Sequence, residues 1–342
     1  MEVAVVGAGI IGVTTALAVK EAFPQIDVTI FADVFTPGTT GDGSAGLWGP
    51  YILKDTSEED ILRWSGRTHE WLQTFWTSKF ASEAGVCLIP VTRLTSSVKK
   101  YPEPKWASNV YGIQELTSEQ LRELNEEHKA RYTGGWQFLT FTCEPAKMLP
   151  WLLKKFKSLG GKVVKRKVEH LDELFLEGYR IVINCSGLGA QKLANDSSVV
   201  PVRGQIIKVD APWMFHTYIV DDDDGNYIIP NIDFVILGGT HQEGDYDTKV
   251  RETDSRFIYE GCCRMERSLR KSKVLTQWVG LRPGRQQVRL EVENPRIVNG
   301  LKCVIVHNYG HGGSGVTLSW GCALDVVEIV RKIQNNVFNS KL

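Results

Sequence analysis

Gly7, Gly9 and Gly12 stand in the spacing G-x-G-x-x-G directly behind the apolar run Glu2 to Val6. Beyond the third glycine, Val13, Ala16, Leu17 and Ala18 continue an apolar stripe at helical spacing, so the first residues predict strand, tight turn, helix. Each glycine has its own reason in such a turn. Gly7 allows a sharp exit from the strand, Gly9 leaves room for a pyrophosphate against the backbone, and Gly12 lets the helix pack closely on the sheet. The free N–H groups of the helix start then face an anion. Gly7, Ala8, Gly9, Ile10, Ile11 and Gly12 are therefore the expected cradle. A second strand, Asp27 to Phe31, leads to Asp33 and Val34, where the acidic side chain would accept hydrogen bonds from an adenosine ribose. This pattern constrains the chain to a dinucleotide-binding α/β unit, and by itself leaves NAD and FAD level.

A chain of 342 residues has room for about two domains. Its 40 basic and 40 acidic residues cancel, which argues against electrostatic binding to nucleic acid or to a membrane surface. No stretch approaches the ~18 consecutive apolar residues of a membrane span, and the N-terminus lacks the charged lead of a signal peptide, so the chain reads as soluble and intracellular. Seven scattered cysteines without a C-x-x-C pair predict buried free thiols and no metal site. The last three residues, Ser340, Lys341 and Leu342, match a receptor-read peroxisomal address, which makes the import receptor an expected partner and the peroxisomal matrix the expected location. The oligomeric state is open, with a homo-oligomer allowed.

Along the chain, residues 35 to 51 form a long Gly-, Thr- and Pro-rich loop that offers hydroxyls and close-approach backbone at Thr39, Thr40, Ala45, Gly46 and Leu47. Residues 58 to 80 carry Trp64, Trp71 and Phe75 at helical spacing, and Thr117 opens a second helix running to His128. The α/β alternation resumes near Cys143. A continuous apolar strand, Arg180 to Asn184, runs into the small-residue loop holding Ser186 and Gly187, with Val168 at the end of a neighbouring strand. Residues 199 to 295 read as a second set of strands that includes Val288 to Glu293. Ala211 to Asn226, with four consecutive aspartates from Asp221 to Asp224, reads as a solvated loop or mobile lid. The chain closes with a strand, the loop Gly310 to Gly315 and a helix from Val316 to about Ile333, giving a second glycine-rich strand-to-helix turn.

These segments together resemble the FAD-dependent D-amino-acid oxidases. The matching runs are VAVVGAGIIG, FTPGTT with SAGLW, NCSGLGA, PVRGQI, APW, YIIP, LGGT, VGLRP and HNYGHGGSG, from residue 3 to about 325. The resemblance implies an α/β fold in which a discontinuous Rossmann-like FAD-binding domain (1-51, 143-198 and 296-342) carries an inserted α+β substrate domain on a mostly antiparallel sheet (52-142 and 199-295). It implies FAD as cofactor, with Gly312, Gly313, Ser314, Gly315, Val316 and Thr317 closing on the flavin. It also implies Arg282 and Tyr227 as the clamp on the substrate α-carboxylate, with Gly313 nearby, because a planar guanidinium grips a carboxylate bidentately. Arg285 and Arg289 are the competing arginines. His311 is expected to orient by a hydrogen bond, not to act as a base.

The resemblance is mixed: NCSGLG, PVRGQ, LGGTHQEGD and VGLRP are similar to the acid-preferring branch, and GLWGPY, KVDAPWM, YIIP and HGGSG to the neutral one. It leans to the acidic branch, so D-aspartate and D-glutamate are the expected substrates, with neutral D-amino acids as the alternative. An acidic substrate needs a second cation, for which His216 and His241 are the candidates. His241 stands where acid-preferring relatives commonly carry arginine, which weakens a strict preference. A flavin oxidase for glycine, sarcosine or another secondary amine, a nicotinamide-dependent dehydrogenase and a catalytically silent FAD-binding protein are the rival readings.

Overall fold

The computed structural model describes residues 2–97, 101–222 and 225–335. The terminal Ser340-Lys341-Leu342 and half of the four-aspartate run, Asp223 and Asp224, lie outside the described residues.

In chain order the strands are β1 (Glu2–Val6), β2 (Asp27–Ala32), β3 (Val86–Thr95), β4 (Tyr111–Glu115), β5 (Gly134–Cys143), β6 (Lys162–Lys165), β7 (Ile181–Asn184) and β8 (Val200–Asp210). They continue as β9 (Thr217–Val220), β10 (Tyr227–Pro230), β11 (Val235–Gly238), β12 (Gln242–Glu243), β13 (Lys273–Gly284), β14 (Arg289–Val292), β15 (Arg296–Val298) and β16 (Leu301–Tyr309). The helices are α1 (Ile10–Ala22), α2 (Glu58–Trp76), α3 (Ala81–Ala84), α4 (Ser118–His128), α5 (Pro145–Ser158), α6 (Asp172–Leu176), α7 (Ala190–Leu193), α8 (Glu252–Met265) and α9 (Gly315–Ile333).

Two sheets organise the molecule. The first runs β14-β16-β7-β1-β2-β6, with β15 beside β16. Its four central pairings are parallel. β1 and β7 are continuous apolar strands, as expected where helices cover both faces of a parallel sheet. β1 feeds α1, which returns to β2, while β7 lies on the other side of β1. The strand order therefore reverses at β1, and a crevice opens at the carboxyl ends of β1, β2, β7 and β16. Helices α1 and α9 both start at this edge.

The second sheet runs β12-β8-β11-β10-β9-β3-β5-β4, with β13 also on β8, and all its pairings are antiparallel except β3 with β9. Helix α8 covers part of it, setting Ile258, Cys262 and Cys263 against Ile207, Val209, Ile228 and Leu237.

The mixed architecture agrees with the sequence, and four local expectations change. Helix α2, expected within the inserted segment, packs on α9, with Trp71 and Trp320 stacked at 4.7 Å and Trp48 Nε1 donating to Ser65 O at 2.9 Å. A stacked aromatic pair contributes roughly 0.5–1.5 kcal/mol beyond its burial, which ties α2 to the nucleotide side. Strand β14, expected on the second sheet, pairs with β16 in the first. The stretch 211 to 226 is not one free loop: β9 runs through it, Asp221 N donates to Leu94 O, and the Asp222 carboxylate accepts from Thr95 and Ser96. Finally, α8 forms where only strands were expected.

Candidate active site

One cavity of about 730 Å³ spans both sheets, with the strand ends of the first as its floor and the second as its far wall. It is large enough for a cofactor and a small substrate together.

At the nucleotide end, Gly7 has φ +111° and a Cβ there would lie 2.4 Å from Cys185 O, so only glycine holds the turn. A Cβ at Gly12 would lie 2.0 Å from Gly7 O. Gly12 thus acts by close packing and stays off the cavity surface, while Gly7, Ala8, Gly9, Ile10 and Ile11 line it. A Cβ at Gly9 would meet nothing within 4 Å, which leaves an open face for a phosphate. No acidic residue occupies the first turn of α1 or of α9, so both positive helix ends remain available to an anion or to developing negative charge.

Asp33 and Val34 continue the wall from β2, and Val168, Ser186 and Gly187 continue it beside β7. Ser186 Oγ donates to Asn184 Oδ1 at 2.6 Å, which fixes the loop at the end of that strand. The long loop after β2 folds over the opening. The Thr39 amide and hydroxyl both donate to Asp42 Oδ2, at 2.8 and 2.7 Å, while Thr40 Oγ1 donates to Leu281 O at 3.3 Å. Ala45, Gly46 and Leu47 follow along the wall, pinned by Cys143 N donating to Gly46 O.

The second glycine loop closes the cavity from β16. Gly312, Gly313, Gly315, Val316 and Thr317 line it. Ser314 does not, because its buried hydroxyl is used on Tyr51, accepting from the amide at 2.6 Å and donating to the carbonyl at 2.7 Å. His311 is buried, its Nε2 has no partner among the described residues, and burial depresses it to about 3. It is thus a neutral ring at the cavity wall with a polar atom that a ligand would satisfy. Among the described residues no side-chain hydrogen bond orients it.

On the cavity wall formed by the second sheet, Tyr227 stands opposite Gly238 across β10 and β11, and Cβ atoms at Gly238 and Gly239 would fall 2.0 and 2.6 Å from its ring and hydroxyl. Arg282 on β13 lies across Gly204, where a Cβ would come 2.3 Å from its Nη1, and that nitrogen donates to Thr240 O at 3.0 Å. Both groups rest on bare backbone. Burial pushes the Tyr227 phenol up while the neighbouring Arg282 pulls it back, so the hydroxyl stays a neutral donor beside a guanidinium. The competing arginines are committed elsewhere: Arg285 Nε donates to Asp196 at 2.9 Å, and Arg289 Nη1 to the Tyr309 hydroxyl at 2.6 Å. His241 lines the cavity, but His216 does not. Its Nε2 lies 2.8 Å from Thr92 Oγ1 and its ring packs on Tyr218. It stands just before β9, off the wall that Ile219 to Asp222 build.

Among the lining groups that the sequence reading did not single out are Trp278, Tyr51 and Arg93. Trp278 is held between the backbones of Gly43 and Gly280, Tyr51 lies over Gly313, and Arg93 enters from β3. The clash that a Cβ at Gly43 or Gly280 would make explains those glycines, but no local pattern announces it.

Residues 2–329 match the sequence profile of a family described as FAD dependent oxidoreductase. The chain belongs to that family. The oxidoreductase is 39% identical to the D-aspartate oxidase of Homo sapiens over 96% of its own length and 94% of that enzyme. It is 40% identical to the D-amino acid oxidase of Dugesia ryukyuensis, over 97% and 98% of the two chains. Glycine oxidase from Geobacillus kaustophilus shares the fold, with a TM-score of 0.75 over 96% of this chain and 94% of that one at 19% identity. The cofactor of this oxidoreductase is FAD, and the open face at Gly9, the two helix N-termini and the unpartnered His311 Nε2 fit such a ligand.

Among the described residues no group of three His, Cys, Asp or Glu is placed to hold a metal, and no helix is long and apolar enough to cross a membrane.

Proposed function

We propose that the protein is an oxidase of D-amino acids that prefers the acidic ones, D-aspartate and D-glutamate, and converts substrate, O2 and water to a 2-oxo acid, ammonia and H2O2. The observation that carries this reading is the Arg282–Tyr227 pair, seated on backbone in the same cavity as both glycine loops. Arg282 would receive the α-carboxylate, with Tyr227 donating a second hydrogen bond to it. Fixing the carboxylate at two points sets the direction of the Cα–H bond, and orientation of this kind is most of what the chemistry asks of the protein. Bound FAD would take the hydride and pass the electrons to O2. The α-amine nitrogen supplies the lone pair that forms the imine, which water then hydrolyses. The backbone of Gly312 to Thr317 at the start of α9 would stabilise negative charge that builds up on the cofactor.

The acidic preference rests on the relatives' names and on the cationic lining. A preference for neutral D-amino acids is the second reading, supported by His216 lying off the cavity wall and by Asp221 and Asp222 lying on it. Anaerobic bleaching of the flavin by a panel of D- and L-amino acids tests both. Faster reduction by D-aspartate than by D-alanine is the expected order, a wide margin for D-alanine installs the neutral reading, and no bleaching by any D-amino acid makes this a silent FAD-binding protein. The peroxisomal address is carried as part of the proposal, since that compartment suits a peroxide producer. A tagged chain lacking Ser340 to Leu342 would then stay diffuse in cells where the full chain is punctate.

A further inference from the structure

Beyond the clamp, the cavity wall contains an ion pair that the chemistry described so far does not use. Arg93, on β3, turns its Nε and Nη2 edge onto Asp221, with Nη2 donating to Oδ1 at 3.0 Å and Nε against Oδ2. The Tyr101 hydroxyl donates to the same carboxylate. The guanidinium also sits 5.5 Å from the centre of the Trp106 ring. Asp221 is not a loose side chain on a loop, because its amide donates to Leu94 O at 2.8 Å and extends the parallel register of β9 on β3.

This pair and the Arg282–Tyr227 pair share one cavity. Arg93 and Asp221 line the same cavity as Tyr51, Tyr227 and Arg282. A substrate whose α-carboxylate is on Arg282 would extend its side chain within this shared cavity, where Arg93 presents a second guanidinium. The other side-chain cations on the cavity wall are poorly placed for that task. Lys167 and Lys192 are both held by Glu169, near the Asp33 end, and His241 offers a ring in place of a guanidinium fork. Arg93 commits one edge to Asp221, and no acceptor among the described residues meets its Nη1.

We infer that Arg93 is the side-chain specificity residue of this site, its uncommitted Nη1 edge receiving the distal carboxylate of an acidic D-amino acid, with Asp221 a fixed counter-charge that moderates the preference. The inference rests on the D-amino-acid oxidase reading. It accounts for an acid-binding site in which His216 plays no part, and for why the preference is not absolute: Asp221 already neutralises the guanidinium, so a neutral side chain meets no unpaired charge. A pocket with Arg93 alone would instead leave that cation buried and unpaired with every neutral substrate.

The test is the ratio of kcat/KM for D-aspartate to that for D-alanine in the flavin-loaded enzyme. The variants are D221N, R93M and the doubly neutral R93M/D221N, which removes both charges and leaves neither partner stranded. A charge-assisted hydrogen bond corresponds to roughly a tenfold change or more, so the ratio should fall at least about tenfold in R93M and R93M/D221N, carried by the KM for D-aspartate. It should rise in D221N. Flavin content and melting temperature report whether each variant is folded. An unmoved ratio in folded R93M/D221N overturns the inference while leaving D-alanine turnover as support for the oxidase reading. Loss of a cationic substrate such as D-lysine in D221N, with the D-aspartate ratio unmoved in R93M, overturns it in favour of Asp221. Failure of every D-amino acid to bleach the wild-type flavin overturns both readings together.

Discussion

Arg282 lies flat across Gly204, where a single added methyl would stand 2.3 Å from its Nη1. The guanidinium thus has one seat, and two different substitutions probe it. Arg282→Leu should lose turnover by about 10²-fold or more, the order expected for removing a charged bidentate contact, while retaining FAD, because the clamp acts on substrate. Flavin absorbance beside steady-state rates checks this, and retained turnover at ordinary substrate levels would show that the wrong arginine was chosen. Gly204→Ala leaves the arginine in place chemically but pushes it off its seat. Its expected signature is a raised KM for every D-amino acid tested, with the flavin spectrum unchanged, and equal effects on FAD retention would argue that the residue supports the fold alone. Tyr227 is seated the same way on Gly238 and Gly239 of the adjoining strand, so both groups proposed for the α-carboxylate rest on glycines. Arg282 and Tyr227, the proposed clamp, were named from the family-like runs VGLRP and YIIP. Their seats were not, because no periodicity in a sequence records what lies across a sheet.

The nucleotide elements were the most legible, since strand, turn and helix are contiguous and every glycine acts within a few residues of its neighbours. Gly12→Val places side-chain atoms where even a Cβ lies 2.0 Å from Gly7 O, so the turn must open. The expected outcome is loss of FAD together with a lower melting temperature, read from the ratio of visible to ultraviolet absorbance and from a thermal melt. Full flavin content would show that the turn tolerates the change. Strand β13 tolerates Pro283 because the proline lies near its end and, among the described residues, β13 pairs with β8 alone, so a missing amide costs no second ladder. Helix α8 was missed because its buried positions, Ile258, Cys262 and Met265, are interleaved with Gly261 and a second cysteine, a weak helical stripe that only packing on the sheet completes. The Arg93–Asp221 pair spans 128 positions and exists only through the register of β9 on β3, so no local reading could assemble it.

The whole molecule carries no net charge, but its seven histidines give it a pH sensitivity of its own. Burial lowers His69 to about 4 and His311 to about 3, and lowers His128, His216 and His307 in the same direction. In the unfolded chain these rings titrate near ~6.5, so the unfolded state binds more protons between the two values and stability rises with pH. Their contribution is complete above the unfolded value and is lost as pH falls below it, at ~2 kcal/mol each for His69 and His311 by pH 5. The melting temperature should therefore drop on the order of 5 °C or more between pH 7.5 and 5, before most carboxylates titrate, and less so in His69→Phe. A flat profile would mean that these rings find proton-accepting partners on folding. The molecule also carries its own optical gauge. Trp278 is pressed between Gly43 and Gly280 on the cavity wall, beside the ligand's path and rigidly oriented. An isoalloxazine arriving in that cavity would drain the indole's excited state, so ultraviolet emission should dim as flavin loads and recover as it leaves. Trp278→Phe would then separate this reporter from the other nine tryptophans, giving cofactor exchange a readout that needs no substrate.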